Sequence, residues 1–325
     1  MLAAIFSSLS VFAYTQPPAP RPSPVVPKRH PRHGNGETSE KSIAVAENVA
    51  FTMCVTRGNL KVNGWNRNEV RIFVKDGAKI GISVLQKDAR TQNPVWIKVV
   101  GLQSIKPGNP GPSECIWGDN IEIDLPLKAS VNIIGQETDT SIDTVKRANV
   151  KTNGGDISLR NVADGITART WRGGVTVENS KGEIALESTT GNILVFEAEP
   201  SGIGDVFKAK TNSGVISLQH VAHRQIDVNS ISGSVHFNGE ILSGGTYGFS
   251  TSNGSIKLSI PQNSSCRFAA SYGFGNFDSE IPMKILTEEV HSGPVKSIVG
   301  IFGNGRGDAT LKLTTHSGSI AVKKQ

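Results

Sequence analysis

TNGGDISL (152–159), TWRGGVTV (170–177), STTGNILV (188–195) and TNSGVISL (211–218) are followed by SISGSVHF (230–237), TSNGSIKL (251–258), YGFGNFDS (272–279) and THSGSIAV (315–322). They align on one glycine: Gly155, Gly173, Gly191, Gly214, Gly233, Gly254, Gly275 and Gly318. The consensus is Thr/Ser-x-x-Gly-x-Ile/Val-x-Leu/Val, and the spacings are 18, 18, 23, 19, 21, 21 and 43 residues. The last spacing is about twice the mean, so one unit there is expected to be replaced by an insertion around 280–305. A fixed period of this length is the signature of a repeat architecture.

The flanking residues repeat as well. Ile166 and Ala168 precede Thr170, Ile184 and Leu186 precede Ser188, and Phe207 and Ala209 precede Thr211. Taking the Thr or Ser as position 0, positions −4, −2 and 0 point inward on one strand, and +5 and +7 point inward on the next. The odd offset requires a corner, and glycine at +3 permits the positive φ such a corner can need. A unit of this size must order its backbone at ~1–2 kcal/mol per residue. It buries only five or six apolar side chains at ~1.5–3 kcal/mol each. One unit therefore cannot fold alone, whereas stacked units cover each other's faces. The expected fold is all-β, a β-solenoid resembling a single-stranded parallel β-helix, with a Thr/Ser hydroxyl ladder at one corner. The alternative is an antiparallel β meander or sandwich, because Asn153-Gly154 and Asn253-Gly254 are also hairpin-turn signals.

Upstream, residues 42–135 alternate with period two, as in Phe51, Met53, Val55 and in Val70, Ile72, Val74, and form an N-terminal β-rich region. The solenoid is assigned to 136–325. Lys106-Pro107-Gly108-Asn109-Pro110-Gly111-Pro112 reads as a loop. Residues 14–41 are proline-rich and read as a disordered linker, which proline keeps out of strand and helix interiors. Residues 1–13 form an apolar run too short for a membrane span and of signal-peptide length, although the usual basic start is missing. Export to the periplasm, the outer surface or the medium is the expectation. The net charge of +6 is concentrated in residues 1–36, where Arg21, Lys28, Arg29 and Arg32 stand against no acid. The rest carries 34 − 4 = 30 bases against 28 acids. No nucleic-acid partner is expected from so neutral a folded part.

At these repeats the chain resembles the bacterial adhesin-like family known as domain of unknown function 4097, described as related to the head domains of autotransporter adhesins. RGNLKVNGW (57–65), IEIDLPLKASVNI (121–133) and GNGRGDATLKLTTHSGSIAV (303–322) carry the likeness alongside the serial repeats, over about residues 45–322 as one continuous domain. The resemblance implies a β-solenoid-like protein of the cell envelope and no established catalytic residues.

Candidate chemistry is sparse. An enzyme on a β-solenoid needs acids gathered on one outward face. Position +4 instead carries Asp156, Gly174, Asn192, Val215, Ser234 and Ser255, and position −1 carries Arg169, Glu187, Lys210 and Asn229. Glu137, Asp139 and Asp143 read as an acidic edge, and His220 and His223 as surface-loop residues without a third metal ligand. Arg306-Gly307-Asp308 reads as part of a glycine-rich turn. No catalytic residue, cofactor or metal ligand is assigned. Trp171, two residues before a corner glycine, is the best candidate for ligand contact. An oxidising compartment permits a Cys54–Cys115 disulfide with Cys266 left over; three free thiols is the other reading. The leading functional expectation is a non-catalytic adhesin-like binding or scaffold protein that meets an envelope glycan or protein surface. The alternative is a polysaccharide lyase or hydrolase, with Glu197, Glu199 and Asp205 the richest place for its site.

Overall fold

In a computed structural model, residues 37–102, 114–290, 293–303 and 308–325 are described. The apolar start at 1–13, the linker up to residue 36, the 106–112 loop and Arg306-Gly307 lie outside the described residues. Every described element is a β-strand. No described helix is long and apolar enough to cross a membrane.

The N-terminal strands are β1 (Glu37–Ala44), β2 (Ala50–Trp65), β3 (Glu69–Gly77), β4 (Ile80–Lys87), β5 (Pro94–Gly101), β6 (Cys115–Pro126) and β7 (Ser130–Asp143). β1 takes in residues 37–41, which the sequence reading gave to the linker. Five two-strand coils follow: β8 (Arg147–Gly154) with β9 (Ile157–Arg160), β10 (Ile166–Arg172) with β11 (Val175–Lys181), β12 (Ile184–Thr190) with β13 (Ile193–Glu199), β14 (Val206–Ser213) with β15 (Ile216–Val221), and β16 (Gln225–Ser232) with β17 (Val235–Asn238). Next come β18 (Thr246–Asn253) with β19 (Ile256–Ile260), and β20 (Cys266–Phe274) with β21 (Phe277–Ser279). A hairpin of β22 (Met283–Val290) and β23 (Lys296–Phe302) leads into the last coil, β24 (Ala309–Ser317) with β25 (Ile320–Lys324).

First strands stack on first strands in the order β5, β2, β7, β8, β10, β12, β14, β16, β18, β24, β20, every pair parallel. Second strands stack as β6, β2, β7, β9, β11, β13, β15, β17, β19, β25, β21, again all parallel. The β-solenoid is therefore the fold, and the antiparallel meander is not. β2 and β7 are long enough to turn the corner unbroken, so they belong to both ladders. The solenoid consequently begins inside the region assigned to a separate β-rich segment: β2, β5 with β6, and β7 are coils too.

The register places the inward residues in columns. Ile157, Val175, Ile193, Ile216, Val235, Ile256 and Ile320 are paired in series, and none is more than 1% exposed. The inner faces of the two ladders close on each other, with Phe237 and Phe249 at 5.1 Å between ring centroids. A half-buried stack of this kind has a single continuous core, which explains how six apolar side chains per coil suffice.

The last repeat is not last in space. β24 and β25 lie between the β18–β19 coil and the β20–β21 coil. The insertion expected around 280–305 is the β22–β23 hairpin; what the spacing does not show is that the coil after it lies between two earlier ones. The chain lays down the outermost coil, turns back through the β22–β23 hairpin, and fills the slot it had left. The N-terminal end shows the same habit, since β5 and β6 lie outside β2, which precedes them in sequence.

Antiparallel strands cover three of the four ladder ends, those at β5, β6 and β20. β4 covers β5, while β3 and then β1 cover β6. β23 covers β20, and β22 covers β23. The outermost strand of each cover carries a register irregularity: at Glu37/Ser39 in β1, at Val84/Gln86 in β4 and at Ile285/Thr287 in β22. Bulged, charge-bearing edges are poor templates for another chain, and an exposed parallel coil would be a good one.

Candidate functional site

Two corners run along the stack, the first a column of glycines and the second a column of residues with positive φ. At the first corner the glycines approach one another closely. A Cβ on Gly173, whose φ is +138°, would sit 2.2 Å from the Gly155 carbonyl oxygen. One on Gly233 would sit 1.9 Å from the carbonyl oxygen of Gly214. The glycine column therefore answers to stacking distance as well as to backbone conformation. Six of the eight glycine carbonyls accept a hydrogen bond from the hydroxyl at position 0 of the next coil. Thr170 donates to Gly155 (3.3 Å), Ser188 to Gly173 (2.9 Å), Thr211 to Gly191 (3.0 Å), Ser230 to Gly214 (3.1 Å), Thr251 to Gly233 (2.8 Å) and Thr315 to Gly254 (2.8 Å). These hydroxyls are buried, so the pairing satisfies both members.

Position +4 has a role the sequence reading missed. Asp139 Oδ1 accepts from the Asp156 backbone N–H (2.9 Å), Asp156 Oδ1 from that of Gly174 (2.7 Å), and Asn192 Oδ1 from that of Val215 (2.8 Å). Ser234 and Ser255 continue the pattern to Ser255 and Ser319, each at 3.3 Å. Gly174 and Val215 interrupt the column; where it holds Asp, Asn or Ser, the common property is a short side-chain acceptor.

The second corner lies at position +9. Thr144, Asn161, Asn179, Glu197 and His220 all have positive φ, between 42° and 59°. The reversal turns the next residue inward in each of these five coils: Val145, Val162, Ser180, Ala198 and Val221 are at most 1% exposed. Asn161 Nδ2 donates to Asp143 Oδ1 at 2.8 Å, and Asn179 Nδ2 donates to Asn161 Oδ1 at 2.7 Å. Burial alone would raise the Asp143 pKa. Hydrogen bonds from Arg160, Thr144 and Asn161, with the Arg160 charge, outweigh it and hold the group below its ordinary value.

Where this ladder of amides ends, the surface holds an open cavity of about 280 Å³, lined by Asn179, Ser180, Lys181, Glu197, Glu199 and His220, all but Ser180 exposed. Lys181 and Glu199 are paired at 3.0 Å. Among the described residues Glu197 and His220 make no side-chain hydrogen bond or ion pair. Behind the wall, His223 is fully buried, which corrects its reading as a surface residue. Its Nε2–H donates to the Gly182 carbonyl at 2.8 Å, and its Nδ1 is buried without a partner. Burial pushes its pKa down, against the opposing influence of the Gly182 hydrogen bond and of Asp205.

The remaining candidates fall apart from this cavity. Trp171 stands on the first corner, 63% exposed. Asp205 accepts from the Ser201 and Gly202 backbone N–H groups, both at 2.8 Å, and so ties its own loop. Of the three acids considered for a hydrolase, only Glu197 and Glu199 share the cavity. In the 137–143 cluster, Glu137 pairs with Arg172 at 2.8 Å and Asp143 with Arg160 at 2.5 Å. Arg169 and Glu187 approach to 3.6 Å across neighbouring coils. Cys54 and Cys115 face each other on β2 and β6 and are bonded. Cys266 is a buried thiol, its pKa pushed up to about 12 by that burial. Asp308, from the Arg-Gly-Asp tripeptide, accepts a hydrogen bond from the Ser243 hydroxyl. No group of three or more potential metal ligands occurs among the described residues.

A solenoid of short coils with glycine corners defines a class, and the chain falls in one family within it. It belongs to the Toastrack family DUF4097, which it matches over residues 42–323. Among solved structures it is similar to a provisionally named cell adhesion protein from Clostridium sporogenes, at 10% identity, covering 89% of this chain and 100% of that one with a TM-score of 0.27. It is also similar to a provisionally named lipid binding protein from Parabacteroides distasonis, at 15% identity, covering 89% and 98% with a TM-score of 0.27. Neither likeness fixes a shared function at these values. No curated protein matches the chain.

Proposed function

We propose that this protein is an exported envelope component that works by binding, presenting a rigid, ridged β surface to a glycan or protein of the cell surface, and that it is not an enzyme. The observation that carries the reading is the second corner, where polar side chains stand at coil spacing along a fixed backbone and end at a cavity with two unengaged side chains. Repetitive surfaces of this kind suit repetitive or extended ligands. The carboxylates elsewhere support it, because Glu137, Asp143, Glu199 and Asp205 are all committed to ion pairs or backbone groups. The Cys54–Cys115 bond supports export, since such bridges persist in oxidising compartments. The expected result is specific retention of an envelope fraction, glycan or protein, on the immobilised full chain. Retention of nothing from membranes, wall and surface polysaccharide would overturn it, as would turnover of a polysaccharide that is lost on substituting Glu197.

A further inference from the structure

We infer that the cavity at the end of the second corner is a sugar subsite, and that an extended pyranose polysaccharide lies along that corner with one ring in the cavity. This rests on the binding function proposed above and assigns its ligand class and its residues. The argument begins with the backbone. Position +9 needs positive φ, which asparagine tolerates better than most side chains and which glutamate rarely adopts. The chain uses Asn161 and Asn179 in two coils, then Glu197 and His220 in the next two. Those two departures are the residues that line the cavity with Asn179. Thr144, the other departure from asparagine at this corner, spends its hydroxyl on Asp143 Oδ1 (2.7 Å), whereas Glu197 holds a conformation glutamate rarely adopts and leaves its side chain unengaged, which points to a role for that side chain.

The lining then selects the ligand. Glu197 offers a free carboxylate acceptor and His220 a donor and an acceptor. Asn179 keeps its Oδ1 and one N–H after its bond to Asn161. Lys181 is neutralised by Glu199. The cavity therefore has no surplus cation for a phosphate and only one uncommitted carboxylate for a metal ion. Interleaved donors and acceptors fit vicinal hydroxyls. The corner supplies the direction: coils repeat at about 4.8 Å, so its polar side chains form a straight row along which an extended chain can lie. A neighbouring ring would then meet Asn161. The wall is preorganised, because buried His223 holds the Gly182 carbonyl just after Lys181, and Gly182 N–H donates to Glu199 at 2.9 Å.

The test is calorimetric titration of the full chain with chitotetraose, its deacetylated form and cellotetraose, beside an array of bacterial surface polysaccharides. Variants are Glu197→Asn, His220→Asn and Trp171→Ala. Asparagine at 197 and 220 extends the existing ladder, so both variants are expected to melt no lower than the parent while losing at least tenfold in affinity for the bound sugar. Trp171→Ala is expected to keep its affinity. Sugar binding indifferent to Glu197→Asn and His220→Asn overturns the subsite and leaves the binding function standing. So does retention of an envelope protein with no sugar bound. Failure to retain any envelope component overturns both.

Discussion

The first corner concentrates most of what single side chains contribute to this stack. Thr211 is fully buried, and its hydroxyl donates to the Gly191 carbonyl at 3.0 Å. Thr211→Val keeps the shape and strands that carbonyl, so unfolding by urea should show a loss of about 1–3 kcal/mol. The same replacement at half-buried Thr189, whose hydroxyl makes no hydrogen bond among the described residues, should cost little. A second residue-scale expectation concerns His223. Its folded pKa lies below the ordinary 6.5, because burial penalises the charged form. The unfolded chain then binds the proton more readily, so His223 lowers stability as pH falls below about 6.5 and has no effect above it. Melting temperature should decline between pH 6.5 and 5, and His223→Gln, whose amide still donates to Gly182, should flatten that decline. An equal decline in the variant would assign it to other groups. The Thr/Ser ladder was legible because one residue type fills one position in register. The second corner was not, since Thr144, Asn161, Asn179, Glu197 and His220 share a backbone conformation and no composition.

At the scale of the element, strand existence and parity could be read from the sequence, and strand order could not. Positions −4, −2, 0, +5 and +7 are inward in the β10–β11 coil as the alternation requires: Ile166, Ala168, Thr170, Val175 and Val177 are all buried. β2 and β7 escaped recognition as coils because β7 turns its corner at Thr138, without a glycine, and neither falls in the eight-segment series. The exchanged order at the C-terminus is a matter of long-range pairing. The 43-residue spacing records only that something intervenes. That exchange has a measurable consequence. In a solenoid built in sequence order, deleting the last coil leaves a shorter, intact stack. Here deletion of residues 309–325 removes an interior coil and separates β20 from β18. Thermal unfolding should lose cooperativity, and trypsin should cut within 262–308 under native conditions. A sharp transition only slightly lowered would contradict the arrangement.

For the whole molecule, parallel coils with a glycine corner solve the difficulty of a repeat that cannot bury its own faces. Three of the four ladder ends are finished by antiparallel strands whose bulges discourage further addition. The family resemblance read from the repeats anticipated this architecture, and the Toastrack match over residues 42–323 agrees with it. The central structural claim is the order in which the coils lie, and cysteine cross-linking reads it most directly. Ser250 is opposite Thr314, and Thr314 is opposite Ser271, on adjacent parallel strands. Under mild oxidation, the pair Ser250→Cys with Thr314→Cys should form a bond, as should Thr314→Cys with Ser271→Cys, while Ser250→Cys with Ser271→Cys should not. A bond in the third pair and none in the first would show the coils stacked in sequence order, contrary to the structure.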